Sequence, residues 1–127
     1  DESGADANAR FSADEHRFGV HAGDVETSMM LALSPQRVRM ARSSDFPSSS
    51  RIRAQGFDIL GNGRSAKLAW MMQDVNPQGA AGNAAAASAE KGRALVGAAG
   101  RALAALLQEI DRLPPDTLTE HTAFGAR

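Results

Sequence analysis

Residues 21–28 read His-Ala-Gly-Asp-Val-Glu-Thr-Ser, and this stretch decides the fold. Asp24 can cap a helix, because its carboxylate can accept a backbone N–H of the first turn. Behind it, apolar residues at helical spacing form one stripe, namely Val25, Met29, Ala32 and Leu33. Pro35 disfavours helical conformation in the residue before it. The sequence therefore predicts a helix over residues 24–33.

His21 is the most informative of the three histidines. We place it between the end of a short strand, residues 17–20, and the predicted helix. In open α/β sheets, ligands bind at the carboxyl ends of strands. The positive end of the helix dipole would favour ionised carboxylates and a neutral imidazole, as a metal site or general base needs. From spacing alone, a capped helix with an incidental histidine stays open as the alternative. His16 and His121 are interpreted as surface residues.

Beyond residue 38, loops alternate with two further apolar stretches. Residues 43–51 predict a serine-rich loop, residues 68–72 a buried strand, and the Asn-Pro-Gln-Gly of residues 76–79 a turn. Residues 84–113 predict a long helix, whose stripe is Leu95, Val96, Ala99, Leu103, Leu106, Leu107 and Ile110. Its glycines predict close packing against a neighbour, and they are Gly92, Gly97 and Gly100. Strand, helix, strand and helix together predict an α/β layer fold. Two strands make a poor sheet, so strand partners are expected to be missing.

The composition excludes several classes of protein and site. The chain has 127 residues, 43% of them hydrophobic, and a formal charge of -1, which is typical of one globular domain. Near-zero charge gives no global attraction to nucleic acid or anionic membranes. The absence of cysteine excludes disulfides, cysteine-ligated zinc and thiol nucleophiles. No apolar run of about 18 residues could span a membrane. We therefore expect a cytoplasmic protein that binds neither nucleic acid nor membrane.

Three other features are interpreted as peripheral. Residues 1–16 are polar and small and predict a loop, a flexible N-terminal segment, while residues 114–127 predict a tail. Arginines cluster in the middle of the chain without interleaved aromatic residues, at Arg37, Arg39, Arg42, Arg51 and Arg53. That pattern favours a solvated or subunit-facing surface over a nucleic-acid groove.

Two motifs resemble those of the creatininase family. Residues 21–38 resemble its signature His-Ala-Gly-Glu-x-Glu-Thr-Ser-x-Met-Leu followed by Pro-x-x-Val. Residues 69–83 resemble its later Gly-Val-x-Gly-Asp stretch and lead into Ala-x-x-Glu-Lys-Gly at residues 87–92. The resemblance covers about residues 17–112. It implies that residues 17–113 are the C-terminal half of a parallel-sheet α/β/α domain, which in this family usually assembles into ring-like homo-oligomers.

The resemblance also implies a chemistry. Family members bind two divalent metals, commonly zinc or manganese, and hydrolyse amide bonds of small cyclic or related compounds. His21 matches the catalytic histidine that assists proton transfer or holds the substrate. Glu26 matches the glutamate that completes the metal site in many members. Asp24 stands where glutamate is commoner, and we assign it no role beyond capping.

One departure from the family pattern is large. Most of the family's metal ligands lie in an N-terminal Glu-x-His-Gly motif and a later Asn-Gly-His-Gly-Gly-Asn motif, and neither occurs in this chain. Asn62 and Gly63 do not substitute, because no histidine follows them. The first hypothesis is therefore a metal-dependent amidohydrolase present as a fragment, which self-associates or pairs with a polypeptide that carries the missing half. The second is a non-catalytic assembly or regulatory module derived from the family.

Overall fold

The computed structural model describes residues 3–61 and 64–118, and helices dominate this part of the chain. The α-helices are α1 (Gly4–Ala9), α2 (Ala13–Phe18), α3 (Asp24–Leu33), α4 (Ser49–Gly56), α5 (Met72–Val75) and α6 (Ala89–Asp111). Short 3-10 turns lie at Pro35–Arg37, Met40–Arg42, Ala84–Ala86 and Pro115–Thr117. The strands β1 (Asp45–Phe46) and β2 (Gly82–Asn83) pair antiparallel, with Asp45 opposite Asn83 and Phe46 opposite Gly82.

Helix α3 has the predicted bounds and ends at Leu33, with Ser34, the residue before Pro35, as its C-cap. The predicted cap is wrong, because the N-cap residue is Gly23, which has no side chain that could cap the helix. Asp24 lies inside the first turn instead, and its carboxylate is buried. It accepts hydrogen bonds from Ser28 Oγ at 3.0 Å and from Lys91 Nζ at 2.7 Å. A contact with a distant helix has thus replaced the local capping role.

Helix α6 confirms the predicted long helix but begins later. The alanine-rich residues 84–86 form a 3-10 turn, and Ser88 caps the α-helix by accepting the Lys91 N–H at 3.3 Å. The prediction of close packing holds at Gly92, where an added Cβ would lie 1.9 Å from the Ser28 carbonyl oxygen. It fails at Gly100, where nothing lies within 4 Å of such a Cβ. One glycine therefore allows α6 to cross α3 at close range.

The loop predicted for residues 1–16 is wrong for the part that the structure describes, since α1 and α2 lie there. Ser3 and Ser12 start these helices by accepting the N–H groups of Asp6 and Glu15, three residues on. The helices are held by burial of Ala7, Phe11 and Phe18, and α1 packs on α6. The proposed domain boundaries at residues 17 and 113 stay predictions, and most of the proposed tail, 119–127, lies outside the described residues.

Both predicted strands are wrong. Residues 17 and 18 belong to α2, and residues 68–71 form no strand and expose Leu68, Trp70 and Met71. An apolar run becomes a buried strand only if neighbouring strands accept its backbone hydrogen bonds, and the described chain provides none there. The mixed helix and strand content is confirmed, whereas the expected parallel sheet is not found in residues 3–61 and 64–118.

Local turn chemistry was predicted more successfully than strand position. The turn at residues 76–79 is confirmed: Gly79 has a φ of 79°, and its N–H donates to the Asn76 carbonyl at 3.0 Å. The serine-rich stretch 43–51 is only partly a loop, because it contains β1 and the capped start of α4 at Ser48. None of the described helices combines the length and hydropathy that crossing a bilayer requires.

Candidate active site

His21 is held by backbone pairing between two segments that are distant in sequence. The Val20 N–H donates to the Ala81 carbonyl at 2.9 Å, and the Ala81 N–H donates to the His21 carbonyl at 2.8 Å. The pairing fixes the backbone of His21 while leaving 59% of its side chain exposed. His21 is therefore rigidly mounted at a surface and is not a core histidine. His16, by contrast, is an exposed residue of α2 whose ring nitrogen lies 2.9 Å from the Asn8 carbonyl.

The residue after His21 adopts an unusual backbone conformation. Ala22 has a φ of 55°, in the left-handed region that residues other than glycine rarely occupy. Two contacts from α3 hold it there: its N–H donates to Glu26 Oε2, and its carbonyl accepts from Thr27 Oγ1 at 3.3 Å. Strain of this kind is retained where surrounding contacts over-determine it, often at functional sites.

The turn brings the two predicted site residues together. His21 Nδ1 lies 3.3 Å from Glu26 Oε2. A proton on Nδ1 would be shared with the carboxylate, which fixes the tautomer and leaves Nε2 for chemistry. No other described residue is hydrogen-bonded to His21 Nε2 or to Glu26 Oε1. The pair thus has the arrangement of a base and the group that orients it.

A buried carboxylate on α2 packs behind this pair. Glu15 is buried, and it accepts the Val25 N–H on Oε1 at 3.3 Å and the Asn83 N–H on Oε2 at 2.9 Å. It thereby joins the first turn of α3 to β2. A Cβ on Gly23 would lie 2.2 Å from Glu15 Oε1, and one on Gly82 2.8 Å from Oε2. Glycine at both positions is required for the carboxylate to fit.

Sequence reasoning missed Glu15, although a signal was present. Ser12 and Glu15 have the spacing Ser-x-x-Glu, a signature of helix N-termini. This pattern would have predicted α2 and placed Glu15 on a helix. Its contact with Asn83 spans 68 residues of sequence, and no local pattern predicts such a contact.

A polar network joins the two sequence motifs. Ser28 Oγ donates to Asp24 Oδ1 and accepts the Ser88 N–H at 3.1 Å. Lys91 Nζ completes the network through its ion pair with Asp24 and a hydrogen bond of 2.9 Å to the Ala86 carbonyl. The first turns of α3 and α6 are therefore locked together, and Asp24 positions the segment that carries Glu26.

His21 and Glu26 line a cleft of about 410 Å³. Its remaining lining is mostly apolar or basic and comprises Ala22, Thr27, Met30, Arg37, Val38, Arg39, Arg42, Ser43, Phe46, Ala80 and Ala84. A cleft of this size is within the range that accommodates small organic ligands. Of the five arginines clustered in the middle of the sequence, some lie at this cleft and others do not. Three face this cleft, whereas Arg51 pairs with Asp14 at 3.0 Å and Arg53 lies 3.5 Å from Ser50 Oγ.

The described residues do not by themselves fit a metal ion. His21 and Glu26 supply two candidate ligands, and no cluster of three histidine, aspartate or glutamate side chains suited to a metal occurs in residues 3–61 and 64–118. Catalytic zinc usually has three protein ligands. His121, Asn62 and Gly63 lie outside the described residues.

Comparison with known proteins shows which family the chain is similar to. Residues 2–107 match the family model described as creatininase, creatinine amidohydrolase. Among solved structures, a Bacteroides fragilis protein provisionally named creatinine amidohydrolase is similar, with 25% sequence identity and a TM-score of 0.59. That similarity covers 84% of this chain and 39% of the other, so this chain spans less than half the length of that relative. No curated protein matches the sequence.

Proposed function

The chain belongs to the creatininase family, and we propose that it is the part of a metal-dependent amidohydrolase that supplies the proton-transfer histidine. The reaction would be hydrolysis of a C–N bond in a small cyclic or related amide. The observation that carries this proposal is the His21–Glu26 pair, built on a strained turn at the mouth of a cleft.

The chemistry assigned to this chain is the handling of one proton. When water adds to an amide carbonyl, the C–N bond breaks only if the leaving nitrogen gains a proton. Because Glu26 orients the ring through Nδ1, His21 Nε2 is free to take a proton from the attacking water and then to give it to the leaving nitrogen. Such positioned acid–base groups accelerate reactions by roughly 10²–10⁴-fold.

The divalent metals implied by the family, zinc or manganese, would be held mainly by residues outside this chain. Glu26 Oε1 is the oxygen left for such an ion, since Oε2 contacts His21 and the Ala22 N–H. We therefore expect the isolated chain to bind zinc or manganese weakly. Calorimetric titration measures this directly, and a stoichiometric site of sub-micromolar affinity would contradict the expectation.

The site would be completed by association, with a polypeptide that carries the missing half or with further copies of the chain. Helix α6 exposes apolar side chains at Leu103, Leu106, Leu107 and Ile110, and contiguous apolar surface of this kind favours association. The same polypeptide would supply the strands of the parallel sheet. A cytoplasmic location stays a prediction.

Reconstitution tests the proposal. The chain is mixed with a polypeptide carrying the Glu-x-His-Gly and Asn-Gly-His-Gly-Gly-Asn motifs, and amide hydrolysis is followed with zinc or manganese. His21→Ala should lower kcat by about 10²–10⁴-fold, and Glu26→Gln should abolish turnover. The control Glu109→Gln changes an exposed carboxylate of α6 away from the cleft and should retain wild-type turnover.

Two outcomes would argue against this function. If Glu26→Gln retained wild-type turnover, Glu26 would have no role in the reaction. If the two polypeptides formed a stable complex that hydrolysed no amide, the non-catalytic assembly or regulatory module would be the better description.

A further inference from the structure

The cleft beside His21 and Glu26 is strongly basic. Arg37, Arg39 and Arg42 line it, and Glu26 is the single carboxylate among its lining residues. The arginines lie on one short segment that two 3-10 turns compact, Pro35–Arg37 and Met40–Arg42. The Ser43 hydroxyl ties the end of this segment back by donating to the Met40 carbonyl at 2.7 Å. Three guanidinium groups are thereby concentrated at one site.

These three arginines differ from the arginines of the chain that form ion pairs. Arg10 and Arg51 each lie about 3 Å from a carboxylate, at Glu90 and Asp14. Arg37, Arg39 and Arg42 form no ion pair with any of the described residues. Grouping like charges without counterions is unfavourable, so this cluster is suited to receive negative charge from a ligand.

The surroundings strengthen such an interaction. Met30, Val38 and Phe46 give the cleft an apolar lining next to the arginines, which are themselves exposed to solvent. Attraction between charges is stronger beside an apolar wall than in open solvent. Guanidinium groups present parallel N–H donors that match the two oxygens of a carboxylate or phosphate. The cleft thus offers recognition for an oxyanion beside a group suited to proton transfer.

We propose that the substrate of this site carries an oxyanion group, a carboxylate or a phosphate, which Arg37, Arg39 and Arg42 hold while the amide to be cleaved faces His21. This inference rests on the proposed function, because it names the substrate class of the same site. It narrows the substrate from small amides in general to anionic amides.

Anion titration of the whole 127-residue chain tests the inference without any hydrolysis assay. Inorganic phosphate and acetate are titrated separately, and binding is followed by calorimetry and by shifts of the arginine side-chain NMR signals. The test variant is Arg37→Gln/Arg42→Gln. The control is Arg93→Gln/Arg112→Gln, which removes the same charge from exposed positions on and just after α6.

We expect saturable binding of at least one anion to the wild-type chain. The test variant should weaken it by about tenfold or more, since charge-assisted hydrogen bonds are lost. The control should change it by less than about twofold, because nonspecific attraction alone is altered. Tighter binding of phosphate than of acetate would be consistent with a phosphate as the substrate's anionic group, and the reverse order would favour a carboxylate.

The inference is overturned if neither anion saturates the wild-type chain, or if control and test variants weaken binding equally. His21→Ala separates this inference from the proposed function, because it should change anion binding by less than about twofold while lowering kcat of the reconstituted protein by about 10²–10⁴-fold. Anion binding together with an inactive reconstituted protein would defeat only the proposed hydrolase. Active hydrolysis without anion binding would defeat only the anionic substrate.

Discussion

The two halves of α6 have the same apolar periodicity and opposite surroundings. In the first half, residues 89–98, Gly92 and Ala98 are buried and Leu95 and Val96 are partly covered. In the second half, residues 99–111, every residue is exposed, including leucines at the same helical spacing. The comparison teaches that periodicity predicts a helix and its apolar face but not whether the chain itself covers that face.

Length explains the difference. Helix α3 has 10 residues and α6 has 23, so at 1.5 Å per residue they extend about 15 Å and about 35 Å. The shorter helix can cover less than half of the longer one. Leu33, the last residue of α3, is itself 65% exposed. The second half of α6 therefore extends beyond the packed region and presents its apolar side chains to solvent.

The largest expected difference in stability is between alanine substitutions at two glycines of α6. Gly92→Ala should destabilise the protein by about 3 kcal/mol or more, because the new Cβ would meet the Ser28 carbonyl at 1.9 Å. Gly100→Ala should stabilise it by about 0.5–1 kcal/mol, since alanine favours the helix and its Cβ meets nothing. Urea unfolding of both variants measures the contrast. Equal effects would show that the two halves are not packed differently.

The next largest difference in stability is expected between the loss of two ion pairs. Asp24→Ala should cost about 2–3 kcal/mol of unfolding free energy, because it leaves the partly buried Lys91 ammonium without its partner and the Ser28 hydroxyl without its acceptor. Glu90→Ala removes the exposed pair with Arg10 and should cost less than about 1 kcal/mol. Thermal and urea unfolding test the order. A cost for Asp24→Ala as small as that for Glu90→Ala would mean that the ion pair with Lys91 does not hold α3 to α6.

A smaller effect on stability is expected in the second half of α6. Leu103→Gln/Leu107→Gln should change the unfolding free energy by less than about 0.5 kcal/mol per site, because both side chains are exposed. It should nevertheless reduce self-association or association with the polypeptide that we propose completes the site, measured by light scattering and analytical ultracentrifugation. The exposed pair Arg93→Gln/Arg112→Gln serves as the control. A large loss of stability would indicate that the isolated chain already covers this surface.

The smallest effect concerns α1, which contacts the first half of α6 through the Arg10–Glu90 pair. The Ser3 hydroxyl, followed by the Ser3 backbone N–H, donates to Asp6 and lowers the pKa of that carboxyl below 3.8. A lowered pKa in the folded state means that the stabilisation is present above the unfolded pKa and is lost as pH falls through the folded pKa.

Ser3→Ala should therefore raise the pKa of Asp6 towards 3.8 and weaken the dependence of stability on acid pH. NMR titration of the Asp6 carboxyl measures the change. Ser12→Ala is the control, since Ser12 caps α2 and does not contact Asp6. A pKa of Asp6 that does not move in Ser3→Ala would exclude the hydrogen bond from the Ser3 hydroxyl as the main cause of the lowered pKa.

The candidate site shows which residues a local sequence pattern can identify and which it cannot. The motif at residues 21–28 marked both His21 and Glu26, and the structure brings them to 3.3 Å. The cap assigned to Asp24 was a reasonable local inference, yet the carboxylate bonds to a lysine 67 residues away. Glu15 was placed in a loop. Both errors concerned a residue whose role depends on a partner distant in sequence.

The sequence by itself determined α3, most of α6, the turn at residues 76–79 and the family signature. All of these depend on signals within one or two helical turns: apolar spacing, proline and glycine, and a short motif. The tertiary structure alone decided which residues became strands, which half of α6 was covered, and that Glu15 would join α3 to β2. The physical reason is that a strand needs a partner for its hydrogen bonds and a buried charge needs a compensating group. Here those partners lie tens of residues away, where local pattern carries no information about them.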